Sequence, residues 1–139
     1  MATKNNNDDD SALLKPTAVV AGGGPAGALT AKVLSERGFN VHVYEAYPRP
    51  DISIDAKEEN SKAYVISIRP RGLLALKRCG VDPLTDLDSA VISEAVVRHN
   101  SSGGKASVLE ANGVLIRRRA LTASLLRAAE ESGAEIHCG

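Results

Sequence analysis

The chain has 139 residues, the size of one ordinary domain, and its 17 basic and 17 acidic side chains cancel to a formal net charge of zero. This balance argues against a nucleic-acid partner and against binding to an anionic membrane surface. No apolar run approaches the roughly 18 residues of a membrane span, so no transmembrane segment is predicted. With 43% hydrophobic residues, 3% aromatics and no Trp, the core should consist of Ala, Val, Leu and Ile, as in strands covered by helices.

The N-terminal residues 1–16 are polar and include three consecutive aspartates, and they lack the apolar stretch of a signal peptide. They are predicted to form a disordered tail, and the folded region is predicted to cover residues 17–139. Cys79 and Cys138 are far apart and in no metal-binding spacing. They indicate unpaired thiols in a reducing compartment, with the cytoplasm as the default location.

The folded region opens with a predicted strand–helix–strand unit. Residues 17–21 (TAVVA) form a short apolar, β-branched run that indicates a buried strand. Residues 25–37 repeat their apolar side chains with a helical period, and Gly38 provides the stop signal. Residues 41–45 (VHVYE) alternate as a second strand. Three such elements within about thirty residues predict a βαβ unit with parallel strands.

Weaker patterns follow this unit. They predict, in chain order, a loop over 46–62, a strand over 63–68, a helix over 71–78, hairpin strands over 95–98 and 107–109 around a turn at 101–104, a short strand over 114–116, a helix over 120–132 and a strand over 134–138. The last strand is expected to return to the parallel sheet. The fold class is therefore α/β, a Rossmann-like unit with a parallel sheet and a small β-hairpin insertion.

A glycine-rich turn, GGGPAG at residues 22–27, joins the first strand to the first helix. At such a turn a pyrophosphate approaches unpaired N–H groups and the positive end of the helix dipole. Gly22 permits the tight turn, Gly24 presents no Cβ to the phosphates, and Gly27 lets the helix pack closely on the sheet. Pro25 lies in the first helical turn, where a missing N–H costs little. The pattern predicts a dinucleotide-binding turn.

An acidic residue, Glu45, ends the second strand 23 positions after Gly22. The spacing is close to the ~20 residues expected for the carboxylate that holds the ribose hydroxyls of a dinucleotide. A carboxylate at this point disfavours a 2′-phosphate and therefore NADP. FAD and NAD both fit the turn, and the spacing does not separate them.

The chain resembles the FAD-dependent aromatic hydroxylase family of monooxygenases in three stretches, VVAGGGPAGALTAKVLSERGFNVHVYEA, RGLLALKRCGV and RRRALTASLLRAA. The order of these motifs is most similar to that of kynurenine 3-monooxygenase-like proteins. The resemblance implies FAD as cofactor, NAD(P)H as electron donor, O2 as oxidant and a small aromatic or related molecule as substrate. It covers residues 17–139 and implies that they form part of an FAD-binding domain.

The resemblance also implies which residues contact FAD. Gly22, Gly24, Pro25, Ala26 and Gly27 would lie at the pyrophosphate, Glu45 and Ala46 at the adenosine ribose, and Ser67 and Arg118 near the rest of the cofactor. Simpler alternatives remain for two of them. Arg118 is also explained as a solvated charge in the basic run 117–119, and Ser67 as an ordinary strand serine.

Two features depart from the family pattern. The downstream Gly-Asp segment that holds the flavin ribitol does not occur, which indicates a truncated member. The substrate-binding arginine of kynurenine hydroxylases would fall near Val96, and an apolar residue there argues against kynurenine as the substrate.

No nucleophilic, acid–base or metal-binding constellation is apparent in the sequence. Its three histidines, His42, His99 and His137, are scattered and show no metal-ligand spacing. Catalytic side chains and a metal are therefore not predicted, as expected if a flavin supplies the reactive atom. Besides an FAD-dependent monooxygenase, the sequence leaves open a truncated, non-catalytic dinucleotide-binding module and a fragment of an NAD-dependent dehydrogenase.

Overall fold

The computed structural model describes residues 15–50, 65–87, 91–98 and 107–139. Residues 1–14 of the predicted tail over 1–16, most of the predicted loop over 46–62, the turn at 101–104 and His99 lie outside these residues. The elements in chain order are β1 (Thr17–Ala21), α1 (Pro25–Glu36), β2 (Asn40–Glu45), β3 (Val65–Ile68), α2 (Pro70–Arg78), β4 (Val91–Arg98), β5 (Ser107–Arg117), α3 (Arg118–Glu131) and β6 (Glu135–Cys138). None of these helices is long and apolar enough to cross a membrane.

A parallel three-stranded sheet in the order β1-β2-β6 carries the glycine-rich turn after its first strand. Val20 pairs with Val43 across β1 and β2, and Val43 pairs with Ile136 across β2 and β6. Val41 and Val43 are completely buried, because the alternation of the central strand directs them towards the helices. The predicted βαβ unit and the return of the last strand to the parallel sheet are confirmed.

A second sheet is antiparallel, with β5 between β3 and β4. Its β4–β5 ladder runs to the pair Arg98–Ser107, so the predicted hairpin is confirmed. The division of the second hairpin strand into 107–109 and 114–116 was wrong, because both belong to the single strand β5. Asn112 has a positive φ of 41°, and the β4–β5 register shifts between Ser93 and Ala95. The strand β5 therefore continues through the turn-forming pair Asn112-Gly113, which forms a local irregularity in the β4–β5 ladder.

The core forms where α1 and α3 pack against each other over the parallel sheet. The side chains at this contact are small or branched aliphatics, as the composition predicted; Ala28, Ala31, Leu125, Leu126 and Ala129 are at most 1% exposed. The helix α3 begins at Arg118, directly after β5, two residues earlier than predicted. All three described helices end shortly before a glycine, in agreement with the predicted stop signals.

An ion pair attaches the segment after β2 to α3. The guanidinium of Arg49 donates two hydrogen bonds to the carboxylate of Glu130, at 2.6 and 2.5 Å. The hydrogen bond from Arg49, opposed in part by burial, holds the pKa of Glu130 below its ordinary value. The same pair raises the pKa of Arg49. Both side chains remain partly exposed, so the solvent screens the interaction.

We expect Arg49→Met to destabilise the fold in a pH-dependent manner. A carboxyl whose pKa is depressed on folding contributes stability above its unfolded pKa and loses it as the pH falls through the folded pKa. The difference in unfolding free energy from the wild type should be about 0.2–1 kcal/mol at neutral pH, and it should disappear as acid protonates Glu130, whose pKa is depressed on folding. Urea unfolding at neutral and at acidic pH measures it. Arg37→Met removes an exposed arginine at the end of α1 and should show no such acid dependence; a pH-independent loss in Arg49→Met would contradict this account.

Candidate functional site

The glycine-rich turn follows the carboxyl end of β1, where ligands of open parallel α/β sheets bind. Gly22 has a φ of +100°, which side-chain-bearing residues rarely adopt. Its N–H donates a hydrogen bond of 2.8 Å to the carbonyl of Tyr44, so the turn stays attached to β2. The predicted tight-turn role of Gly22 is consistent with this conformation.

Gly27 lies where α1 comes close to the end of β1. A Cβ atom placed on Gly27 would lie 1.9 Å from the carbonyl oxygen of Gly22 and 3.3 Å from Cγ1 of Val20. The first of these distances is an overlap with rigid backbone. A glycine at this position is therefore required for the helix to start where it does, as the motif predicts.

Gly24 is the residue before the first turn of α1, and Pro25 is the first helical residue. No side chain caps the helix. Helix geometry leaves the N–H groups of Ala26 and Gly27 without intrahelical acceptors, and Pro25 has no N–H to satisfy. A Cβ on Gly24 would meet only the guanidinium of Arg118, at an ordinary 3.7 Å. The protein's own packing therefore does not require glycine here, whereas a ligand at the helix start would.

The carboxylate of Glu45 contacts the turn directly. The N–H of Gly23 donates to its Oε2 at 2.7 Å, and the N–H of Tyr47 donates to its Oε1 at 3.1 Å. The spacing of Glu45 from Gly22 in the sequence predicts a ribose-binding carboxylate but not these two hydrogen bonds. A carboxylate offers about four acceptor positions, so two remain for the hydroxyls of a ligand.

Arg118 is brought to the turn by the junction of β5 and α3. It is the first residue of α3, and its Nη2 lies beside Gly24. Its carbonyl accepts a hydrogen bond of 2.9 Å from the hydroxyl of Thr122, one turn later in the same helix. A guanidinium therefore stands at the positive end of α1, and the two together favour a doubly charged anion.

The remaining predicted site residues are placed differently. Ala46 follows Glu45 at the end of β2, where the N–H of Gly139 donates to the carbonyl of Glu45 at 3.0 Å. Ser67 lies in the antiparallel sheet, on β3 opposite Leu115, and is exposed. Val96 pairs with Leu109 on the hairpin, and its side chain lies outside the described part. The contacts of Ala46 and Ser67 with a cofactor stay predictions.

The description of the histidines as scattered was wrong for two of the three. Parallel pairing of β2 with β6 brings the rings of His42 and His137 to a centroid distance of 5.7 Å, next to Glu135. The two histidines are 95 residues apart in the chain. The alternation of side chains on the two predicted strands is compatible with both histidines lying on one face of the sheet. Only knowledge that these strands are neighbours would have revealed the cluster.

Comparison with known proteins supports the Rossmann-like fold. The sequence profile of the NAD(P)-binding Rossmann-like domain matches residues 20–78, from β1 to the end of α2. Among solved structures, the chain is similar to 2-methyl-3-hydroxypyridine-5-carboxylic acid oxygenase, with 22% identity and a TM-score of 0.68 over 89% of this chain and 31% of that one. The fold is therefore that of the predicted class, and the chain spans about a third of that oxygenase's length.

Two further structures share this fold. One is CmlS, a flavin-dependent halogenase, with 18% identity and a TM-score of 0.70 over 91% of this chain and 23% of that one. The other is p-nitrophenol 4-monooxygenase PnpA from Pseudomonas putida DLL-E4, with 23% identity and a TM-score of 0.63 over 89% of this chain and 30% of that one. In each case the similar part is less than a third of the other protein.

The two glycines of the turn should respond differently to alanine. Alanine improves helix propensity by roughly 0.5–1 kcal/mol, but Gly27→Ala places its Cβ against Gly22. We expect a net loss of about 1–3 kcal/mol of unfolding free energy in urea. Gly24→Ala meets no such obstacle and should lie within about 0.5 kcal/mol of the wild type. Equal stability of the two variants would contradict the close approach described above.

Proposed function

We propose that residues 17–139 bind FAD, as the N-terminal nucleotide-binding part of a flavin-dependent monooxygenase. The observation that carries the proposal is the guanidinium of Arg118 beside Gly24, at the uncapped start of α1. An arginine brought from the first residue of α3 to the open start of α1 matches the charge and shape of a diphosphate. Similarity to a flavin-dependent halogenase supports flavin as the cofactor, and similarity to an oxygenase and a monooxygenase supports oxygen insertion as the reaction.

In this proposal the turn binds the pyrophosphate of the cofactor. The N–H groups of Ala26 and Gly27 point towards the phosphates, and Gly22 and Gly24 keep their approach open. Pro25 fixes the first helical dihedral without adding an unsatisfied donor. Arg118 neutralises the remaining charge from the opposite side.

The adenosine ribose is assigned to Glu45. Its carboxylate is held in place by two backbone N–H groups and keeps acceptor capacity for both ribose hydroxyls. The same negative charge repels a 2′-phosphate. Ala46 would lie beside the ribose, and Ser67 would contact the cofactor from β3.

The residues of this chain position a cofactor and supply no catalytic acid or base in the proposal. Bound FAD would supply the redox chemistry, with NAD(P)H as electron donor and O2 as the source of the inserted oxygen atom. The substrate class is a small aromatic or related molecule. We place the chain in the kynurenine 3-monooxygenase-like branch by its motif order, while Val96 argues for a substrate other than kynurenine.

Two alternatives are each favoured by a specific observation. The profile matching residues 20–78 describes NAD(P)-binding domains, which favours NAD as the dinucleotide. The antiparallel sheet inserted between β2 and α3 departs from the steady βαβα alternation of a dehydrogenase and counts against it. The contacts of Glu45 and Arg118 at the turn describe binding of a ligand and no catalytic step, which favours a binding module without turnover as the second alternative. FAD competition against NAD distinguishes the first alternative, and NADPH oxidation by the desalted, flavin-loaded protein distinguishes the second.

Gly24→Val should abolish most FAD binding while leaving the fold intact. The branched side chain occupies the space in front of the helix start, where a Cβ would meet only the guanidinium of Arg118, at an ordinary 3.7 Å. We expect at least a tenfold rise in Kd by titration calorimetry, with unchanged thermal unfolding in the absence of ligand. Thr30→Val introduces the same side chain at an exposed position further along α1 and should bind normally. Unchanged FAD affinity in Gly24→Val would place the ligand elsewhere.

Arg118→Gln should weaken FAD binding by about 10–100-fold. Hydrogen bonds to charged groups contribute about 1.5–3 kcal/mol, and each 1.4 kcal/mol corresponds to a factor of ten. Arg117→Gln removes the neighbouring exposed charge of the same basic run and should change the Kd by less than about twofold. Equal losses in the two variants would identify Arg118 as part of a general positive charge and not as a ligand contact.

A further inference from the structure

The face of the parallel sheet turned away from the helices carries a cluster of metal-ligating groups. Parallel pairing aligns His42 with Glu135 and Tyr44 with His137, so all four side chains share one face. The alternating residues Val41 and Val43 are fully buried on the other face. Glu135 and His137 are exposed, and the cluster is open to a small ligand from solvent.

Three potential ligand atoms of this cluster lie at the corners of a small triangle. Nδ1 of His42 is 3.2 Å from Oε2 of Glu135 and 3.4 Å from Nε2 of His137, and the last two atoms are 3.8 Å apart. A tetrahedral Zn²⁺ ion holds nitrogen and oxygen ligands at about 2.0–2.2 Å, which places neighbouring ligands about 3.3–3.6 Å apart. We propose that His42, Glu135 and His137 bind a divalent transition-metal cation of the zinc class.

Neighbouring side chains already hold both imidazoles. The amide of Asn40 places its Nδ2 3.1 Å from Nε2 of His42. Rotation of the amide by 180° would bring Oδ1 to this position, where it would accept the Nε2 proton and leave the Nδ1 lone pair for the cation, the usual outer-shell arrangement of a ligating histidine. The ring of His137 stacks on Tyr44, with centroids 4.7 Å apart and planes 17° from parallel. Neither ring has to be reoriented in a major way for coordination.

The donor set selects the kind of cation. Two imidazoles and one carboxylate suit Zn²⁺ and its neighbours in the transition series, whereas Mg²⁺ and Ca²⁺ prefer sites made of oxygen. Three protein ligands leave a fourth tetrahedral position for water or an external ligand. The cation would join β2 to β6 and so stabilise the native chain by mass action. Its ligands are not shared with the turn at Gly24, so the inference does not rest on the proposed function.

The test is zinc binding by the untagged chain in a buffer that does not chelate. Titration calorimetry should give one Zn²⁺ per chain, bound Co²⁺ should show the visible absorption of a tetrahedral site, and Zn²⁺ should raise Tm. His42→Gln, His137→Gln and Glu135→Gln should each weaken binding by more than about 100-fold, since even outer-shell partners contribute about 10–100-fold. Asn40→Ala should weaken it by about tenfold.

Matched variants separate this site from other donors. Cys138→Ser removes a neighbouring thiol, His99→Gln the third histidine, and Glu94→Gln an exposed carboxylate of β4. All three, and Gly24→Val, should keep wild-type zinc affinity. Each ligand variant is checked for an unchanged Tm in the absence of metal, so a lost site is not confused with a lost fold. No saturable zinc binding, or binding that survives in His137→Gln or disappears in Cys138→Ser, would overturn the proposal.

Discussion

The near contact between α1 and the end of β1 is the constraint on which the site depends. Gly27 stands where any Cβ would overlap the carbonyl oxygen of Gly22, so the helix can begin this close to the strand only with glycine at that position. This approach determines where the free amides at the start of α1 lie and in which direction they point. The carboxylate of Glu45 then holds the turn between β1 and α1 in place by accepting a hydrogen bond from the N–H of Gly23.

The candidate nucleotide site is assembled from three separated parts of the chain. The turn comes from the first βα connection, Glu45 from the end of β2, and Arg118 from the first residue of α3. The sheet order and the packing of α1 on α3 bring them together, so the antiparallel sheet acts as a support that delivers one arginine. The positive helix end and the guanidinium of Arg118 lie beside Gly24, and in the proposed site the carboxylate of Glu45 would limit the kind of ligand accepted.

Much of the architecture could be predicted from the sequence, because the βαβ unit is encoded by local period and glycine placement. The continuity of β5 could not, since Asn112-Gly113 has the composition of a turn, and only the pairing with β4 on both sides of Asn112 keeps the strand continuous. The bond between Gly23 and Glu45 and the meeting of His42 with His137 were missed for a related reason. Both depend on which strands become neighbours, and a local pattern carries no such information.

The direct passage from β5 into α3, without an intervening loop, has a mechanical consequence. A strand paired on both sides and a helix buried in the core are joined at Arg117 and Arg118, so the backbone there has little freedom to absorb a displacement. An anion that shifts the guanidinium of Arg118 towards Gly24 would therefore also pull on the β4–β5 ladder and on α3. Binding of a ligand at the turn would in this way affect strands that do not contact the ligand.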